Sequence, residues 1–164
     1  MEKIPKVHIE MVKEKTVDCE EQLLSSPLLA AEFGRTLYFK ESENEVRSPT
    51  REILTVCCVD AKGSVLAVER VFTGTSSGAY VGMKELFMSA ILCNAEALIC
   101  FHNHPSGDPH PSVADNLMTQ RIEKAGAILD IKLRDHIIIG EQGYYSYEEK
   151  KVSEWRDRAH EKAG

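Results

Sequence analysis

The sequence predicts an α/β fold, a single domain with a mixed β-sheet flanked by helices. Two β-branched, apolar runs after residue 52 are separated by a short turn containing Gly63, which is typical of an antiparallel hairpin. The apolar runs that follow alternate between helical and strand spacing, which is typical of strands joined by helices. A hairpin followed by such units favours a mixed sheet over a purely parallel one, and 164 residues fit one domain.

The N-terminal part contains one helix and the hairpin. Pro27 stands at the first position of an apolar stretch, so we expect a short helix over 27–33, followed by a solvated loop over 41–45. The run 53–60 predicts a buried strand, and 65–72 alternates as its hairpin partner.

The C-terminal part predicts two longer helices and three strands. Apolar residues recur at helical spacing over 81–93 and again over 113–129. Between them, 97–101 forms a short central strand that leads directly into His102, and strands follow over 131–139 and 144–147. We divide the chain into an N-terminal helical and loop extension (1–45), a central metal-binding domain (46–148) and a charged C-terminal helix (149–164).

Composition limits the classes of function. The net charge of −6 disfavours broad binding to nucleic acid, which requires neutralisation of phosphates, although a local basic patch stays open. The five cysteines form no C-x-x-C pair and mostly lie in apolar runs, as expected of buried, reduced thiols. We find no signal peptide and no run long enough to cross a membrane, so we expect a cytoplasmic protein without a membrane partner.

The most informative segment is 101–115, which contains the pattern His-x-His-x7-Ser-x2-Asp. His102 and His104 are two residues apart at a strand end, so their side chains point to one face. The Pro- and Gly-rich loop that follows can return Asp115 to them from the first turn of the next helix. Two imidazoles and a carboxylate suit Zn²⁺ with one coordination position open, which is the arrangement of catalytic zinc sites.

Each of these residues also has a structural interpretation. Ser112 and Asp115 form a capping-box pattern, and an Asp115 that caps the helix would compete with metal binding. Asp108 and His110 are more typical of a solvated turn than of a cation site. His136, within an apolar strand, is better explained as a satisfied core histidine that supports the site than as a ligand.

The pattern resembles the JAMM signature of MPN (JAB) metalloproteases, and its surroundings resemble the RadC branch of that superfamily. The segments that carry the resemblance are 72–75, 81–87, 102–107, 111–115 and 135–140, and the similarity covers about residues 45–147. The resemblance implies a cytidine-deaminase-like architecture and one Zn²⁺ per chain, held by His102, His104 and Asp115. Fe²⁺ or Mn²⁺ suit the same ligands.

The resemblance also implies roles in catalysis. Glu52, just before the first core strand, stands where the family has its catalytic glutamate, while Glu85 is a nearer carboxylate at a helix position. Glu52 would accept a proton from the metal-activated water, and Ser112 would hydrogen-bond the oxyanion. The implied substrate is a peptide or isopeptide bond in a peptide or protein, for example a C-terminal tail lying along a strand edge.

Other functions stay open. The chain could be a non-catalytic MPN-like binding module, or a DNA-repair or mobile-element accessory protein of the RadC type. About 45 residues precede the domain, without the Gly-rich hairpin of the helix-hairpin-helix module that longer RadC-like proteins resemble. A zinc nucleobase deaminase is disfavoured because the chain lacks a Pro-Cys-x-x-Cys pair. A metal-dependent nuclease is disfavoured by the acidic charge.

Overall fold

The computed structural model describes residues 23–39, 51–74 and 81–155, and it confirms the mixed α/β architecture. The described residues form three helices and one six-stranded sheet with the order β2-β1-β3-β4-β5-β6. The elements are α1 (Pro27–Phe39), β1 (Glu52–Val59), β2 (Val65–Gly74), α2 (Met83–Leu92), β3 (Ala97–Asn103), α3 (Val113–Leu129), β4 (Lys132–Ile139), β5 (Gly143–Ser146) and β6 (Lys151–Glu154).

The sheet is mixed because its two halves are connected differently. β1 pairs antiparallel with β2 through the predicted hairpin, and it pairs antiparallel with β3 on its other side. β3 and β4 are parallel, so the chain between them must cross over the sheet, and α3 forms this crossover. As a result α3 starts beside the C-terminal end of β3.

The helices cover both faces of the sheet. Odd-numbered side chains of β3, such as Phe101, pack on α1 residues including Ala31 and Phe33. Even-numbered ones, such as Cys100, pack on α2 and α3 residues including Phe87 and Ile122. Every residue of β3 is therefore buried. The alternation places the side chain of His102 on the α2/α3 face.

Two elements differ from the prediction. β3 continues to Asn103, so His102 lies inside the strand rather than after it. α1 continues to Phe39 and contributes Ala30, Phe33 and Tyr38 to the core, although we had placed it in an extension outside the domain. The predicted loop at 41–45 lies outside the described residues.

The charged C-terminal segment is not helical where the structure describes it. Lys151–Glu154 form β6, which pairs antiparallel with β5. The Trp155 indole N–H then donates to the Gly140 carbonyl oxygen at 3.0 Å. Without β6, β5 would present unpaired backbone groups at the edge of the sheet, and pairing with them outweighs the helical propensity of this segment. The rest of the tail, from residue 156, lies outside the described residues.

Two further sequence-based expectations concern cysteines and membrane spans. Cys57, Cys58 and Cys100 are buried free thiols, as predicted. Within 23–39, 51–74 and 81–155, none of the helices combines the length and apolar content needed to cross a bilayer.

The close contact between α3 and Ile131, the residue before β4, leads to a prediction about stability. A Cβ on Gly126 would lie 2.3 Å from the Ile131 carbonyl oxygen, which is backbone and cannot move aside easily. Helix propensity alone would make Gly126→Ala stabilising by about 1 kcal/mol. We instead expect overpacking to lower the free energy of unfolding by about 1–3 kcal/mol.

Urea denaturation of the wild-type protein and of Gly126→Ala measures the difference in their free energies of unfolding. Ala127→Gly, at an exposed neighbouring position of the same helix, should cost only the propensity difference of about 1 kcal/mol. An increase in stability for Gly126→Ala would show that the helix can shift away from Ile131.

Candidate metal centre

His102 and His104 are brought together by the end of β3. His102 is fully buried within the strand, and His104 follows Asn103 with its side chain 18% exposed. Their rings lie on the same face because they are two residues apart in extended chain. The two Nε2 atoms are 3.0 Å apart, so the same nitrogen of each ring faces a common point.

Asp115 reaches the same point from the first turn of α3. Its Oδ1 lies 3.2 Å from His102 Nε2, and its Oδ2 lies 3.2 Å from His104 Nε2. One ligand atom from each of the three residues lies within 4.8 Å of the others, so His102, His104 and Asp115 could hold a metal ion. The loop and the helix thus deliver the aspartate as the sequence spacing predicted.

The hydrogen bonds of His104 fit metal binding. Its Nδ1 is 2.8 Å from the backbone carbonyl oxygen of Asp108. A carbonyl only accepts, so Nδ1 carries the hydrogen, and in the neutral ring Nε2 keeps its lone pair. That lone pair is directed towards Asp115 and His102. Two imidazole nitrogens and one carboxylate around one point are the donors that Zn²⁺ prefers.

The charges of this cluster are mutually stabilised. Burial raises the pKa of Asp115, but the contacts of its two oxygens with the rings of His102 and His104 outweigh burial and hold the pKa well below its usual value. The contact with Asp115 in turn raises the pKa of His104, against the opposing effect of burial. The carboxylate is therefore ionised, as a metal ligand must be.

Asp115 performs the capping role as well, without losing its access to the histidines. The Ser112 N–H donates to Asp115 Oδ2 at 2.7 Å, and the Asp115 N–H donates to Ser112 Oγ at 3.2 Å, which completes a capping box. Oδ1 takes no part in the box and faces His102. The two interpretations that the sequence set against each other are therefore compatible.

Ser112 lies beside the cluster, and its hydroxyl donates to Asp115 Oδ2 at 2.6 Å. It therefore contacts the carboxylate directly, while the residue as a whole is exposed. A hydroxyl rotates at little cost, so the same group can turn its hydrogen to another acceptor.

Glu52 is the first residue of β1 and lies on the face that carries the two histidines. Leu54 pairs with His102 in the β1–β3 ladder, so their side chains lie on one face of the sheet. Glu52 is two residues before Leu54 in the same strand, and its side chain therefore points to that face. The Glu52 carboxylate is close enough to contribute to the raised pKa of His104. It is not part of the ligand group found among the described residues.

Asn103, which the sequence reasoning passed over, fixes the backbone on both sides of Glu52. The Ile53 N–H donates to Asn103 Oδ1 at 3.0 Å, and Asn103 Nδ2 donates to the Arg51 carbonyl oxygen at 3.1 Å. The backbone ladder between β1 and β3 reaches Leu54 and His102, and this side chain continues it. Its position between the two histidines was the only signal in the sequence.

His136 is buried next to His102 and outside the ligand group, as predicted. Its Nε2 lies 2.8 Å from His102 Nδ1, and its Nδ1 lies 2.7 Å from Thr119 Oγ1. Tyr147 stacks on the ring with a centroid distance of 4.9 Å and an interplanar angle of 7°. Burial holds the pKa of His136 well below its usual value, so the ring is neutral.

The remaining candidates lie elsewhere. Asp108 and His110 are exposed and bind each other, with 2.7 Å between Oδ1 and Nδ1, which fits the predicted solvated turn. Glu85 is exposed in the first turn of α2. From the sequence, the loop 73–80 is expected to border the cleft, and residues 75–80 of this loop lie outside the described part of the chain.

Comparison with known proteins agrees with this fold. The family model of the RadC-like JAB domain matches residues 35–152. The chain belongs to this family. The match begins within α1 and ends within β6, so it covers β1 to β5 and includes His102, His104 and Asp115.

Relatives in three bacteria are similar to this RadC-like domain. A UPF0758 protein of Thermotoga maritima is 43% identical over 100 residues, covering 61% of this chain and 45% of the relative. A second UPF0758 protein, of Pasteurella multocida, is 36% identical over 136 residues, which cover 79% of this chain and 61% of the relative. A third, of Alkaliphilus metalliredigens, is 40% identical over 108 residues, which cover 66% of this chain and 47% of the relative. The chain thus spans about half the length of the curated relatives it matches.

The geometry predicts which aspartate of this region is needed for metal. Asp115→Asn keeps an acceptor for the Ser112 N–H but removes the anionic oxygen that faces His102. We expect it to lose bound metal while remaining folded. Metal content by mass spectrometry, on protein purified without added metal or chelator, measures the loss.

Asp108→Asn is the matched control. It removes the same charge from the same region, but the backbone carbonyl that orients His104 is retained. We expect this variant to keep its metal. Equal metal content in the two variants would show that Asp115 acts only as a helix cap.

Proposed function

We propose that this RadC-like domain is a zinc-dependent metallohydrolase of the JAMM type that cleaves peptide or isopeptide bonds. The observation that supports this most directly is the convergence of His102, His104 and Asp115, with a glutamate on the same face. A structural zinc site takes four protein ligands, whereas three leave a position for water or substrate.

In this proposal His102 Nε2, His104 Nε2 and an Asp115 oxygen hold the zinc ion. A zinc ion held by three such ligands lowers the pKa of a bound water from 15.7 to about 7 and polarises a carbonyl oxygen. The buried surroundings strengthen both effects, because His102 is fully buried and Asp115 is 5% exposed.

Glu52 acts as the general base and then as the general acid. Its carboxylate accepts a proton from the attacking water and delivers it to the nitrogen of the leaving amine, which otherwise leaves too slowly as an anion. The two hydrogen bonds of Asn103 fix the backbone on either side of Glu52. This limits the positions of the carboxylate to those that its own side-chain rotation allows.

Ser112 stabilises the negative charge that develops on the carbonyl oxygen of the substrate. Its hydroxyl releases Asp115 Oδ2 and turns towards that oxygen. Each well-placed donor of this kind is worth about 10²–10³ in kcat in enzymes that cleave acyl bonds.

The substrate we propose is an extended peptide segment, for example the C-terminal tail of a protein. β2 lies at the edge of the sheet, and its residue Gly74 pairs with Glu52. β2 separates a peptide added to this edge from β1, so the peptide would reach Glu52 by passing the end of β2 at Gly74. β-Strand addition would hold its main chain at a defined position.

The proposed base gives a direct test. Glu52→Gln keeps the size and backbone of the residue but cannot accept the proton. We expect it to retain bound zinc and to lose at least about 100-fold in kcat/KM, which is the lower range for general acid–base catalysis. Two sets of quenched fluorescent peptides are first screened with the zinc-loaded wild-type protein, one set linear and the other joined through a lysine side chain. The peptides that it cleaves are then used to measure kcat/KM of the variant.

Glu85→Gln is the matched control, because Glu85 is the other carboxylate that the sequence offered and is exposed on α2. This variant should retain both zinc and activity. If Glu52→Gln were fully active, the base would have to be another residue. A zinc-loaded wild-type protein that cleaves none of the peptides would favour a binding module.

A further inference from the structure

A continuous path of hydrogen-bonding atoms connects the backbone of α3 to His102. The Thr119 hydroxyl donates to the Asp115 carbonyl oxygen at 2.8 Å. Thr119 Oγ1 lies 2.7 Å from His136 Nδ1, and His136 Nε2 lies 2.8 Å from His102 Nδ1. All three side chains are buried, so water has no part in satisfying them.

The first atom of this path sets the direction of every hydrogen bond. A carbonyl oxygen has no hydrogen to give, and Thr119 has a single hydroxyl hydrogen, which it donates there. Thr119 Oγ1 can then only accept from His136 Nδ1. A neutral imidazole has one N–H, so His136 Nε2 must be an acceptor, and His102 Nδ1 must supply the hydrogen.

We propose that His136 and Thr119 are positioning residues that hold His102 with its hydrogen on Nδ1 and its Nε2 lone pair directed at the metal centre. This rests on the proposed function, because it concerns the same site. The positioning role goes beyond the proposed function, because it assigns roles to two residues, His136 and Thr119, that are outside the group of candidate metal ligands. The opposite set of hydrogen bonds would place a hydrogen on His102 Nε2, which cannot then bind a cation.

The surroundings of His136 prevent it from leaving this arrangement. It lies on β4 opposite Cys100 of β3, and Tyr147 stacks on its ring. The Tyr147 hydroxyl is also within hydrogen-bonding reach of Thr119, but it donates to Asn116 Oδ1 at 2.9 Å, so its own hydrogen is not directed at Thr119 or His136. The His136 ring is therefore contacted by Thr119, His102 and Tyr147.

His102 and His104 are thus oriented by different means. His104 donates to a backbone carbonyl in an exposed turn, whereas His102 depends on two side chains from other elements. A substitution can therefore change the hydrogen position on His102 alone. This makes the proposal testable separately from the existence of the metal site.

The first experiment reads the hydrogen position in the metal-free wild-type protein. Long-range ¹H–¹⁵N correlation of the histidine side chains distinguishes an Nδ1–H ring from an Nε2–H ring. We expect His102 as Nδ1–H and His136 as Nδ1–H. A His102 ring found as Nε2–H overturns the proposal, whether or not the protein hydrolyses anything.

The second experiment compares Thr119→Val with Thr119→Ser. Valine keeps the shape but removes the acceptor for His136 Nδ1–H, whereas serine keeps the hydroxyl. We expect Thr119→Val to weaken zinc binding 10- to 100-fold, measured by competition with a chromophoric chelator, with a shift of His102 towards Nε2–H. Thr119→Ser should bind within a few-fold of wild type and keep the Nδ1–H spectrum.

The outcomes separate this proposal from the proposed function. Equal zinc affinity in the valine and serine variants overturns the positioning role and leaves the hydrolase proposal intact. A wild-type protein that binds no zinc overturns the hydrolase proposal, while the hydrogen positions in the metal-free protein are still measurable. Thermal unfolding of each variant shows whether a loss of affinity reflects loss of folded protein, and the wild-type spectrum decides if the valine variant does not fold.

Discussion

The burial of His102 at the end of the central strand is the constraint on which the rest of the site depends. β3 is covered by α1 on one face and by α2 and α3 on the other, so a polar side chain within it has no access to water. Leaving either ring nitrogen without a partner would cost about 1–3 kcal/mol. The structure meets this requirement at Nδ1 with His136, and it places His104 and Asp115 around Nε2.

The topology brings Asp115 to the two histidines for a related reason. Parallel pairing of β3 and β4 requires a crossover, and α3 must begin where the loop after β3 returns to the sheet. The start of a helix has unpaired N–H groups and a partial positive charge, both of which favour a carboxylate in its first turn. A cap of this kind is worth about 1 kcal/mol. Asp115 thus has a structural reason to be ionised and ordered before any metal binds, and Oδ1 still faces the histidines.

The sequence predicted those parts of the structure that depend on short-range spacing. The bounds of α3 agree with the prediction, because the Ser112 cap and the apolar spacing are local signals. The conjunction of His102, His104 and Asp115 followed from a strand end, a loop and a helix start within fifteen residues of the chain. Capping and ligation were set against each other as if the carboxylate were a single atom, whereas in the structure Oδ2 caps the helix and Oδ1 faces His102.

What the sequence could not give depends on contacts between distant segments. Lys151–Glu154 has no strong strand pattern, and it pairs because β5 offers an open edge. The role of Asn103 depends on residues about fifty positions earlier, and that of Thr119 on a ring seventeen positions later. An amide between two histidines and a threonine in a helix are common, so neither carries a signal until the fold places its partners.

The loop between His104 and Asp115 explains why the less buried histidine can be as well oriented as the buried one. Gly107 has a φ of +76°, which glycine adopts without strain, and its carbonyl oxygen accepts from the Glu141 N–H at 2.9 Å. A Cβ there would come within 2.7 Å of the Glu141 side chain. The turn is thus tied to the β4–β5 connection, and with it the Asp108 carbonyl that fixes His104. Both ties involve the loop after β3 and the β4–β5 connection, so the orientation of His104 does not depend on β1 or β2.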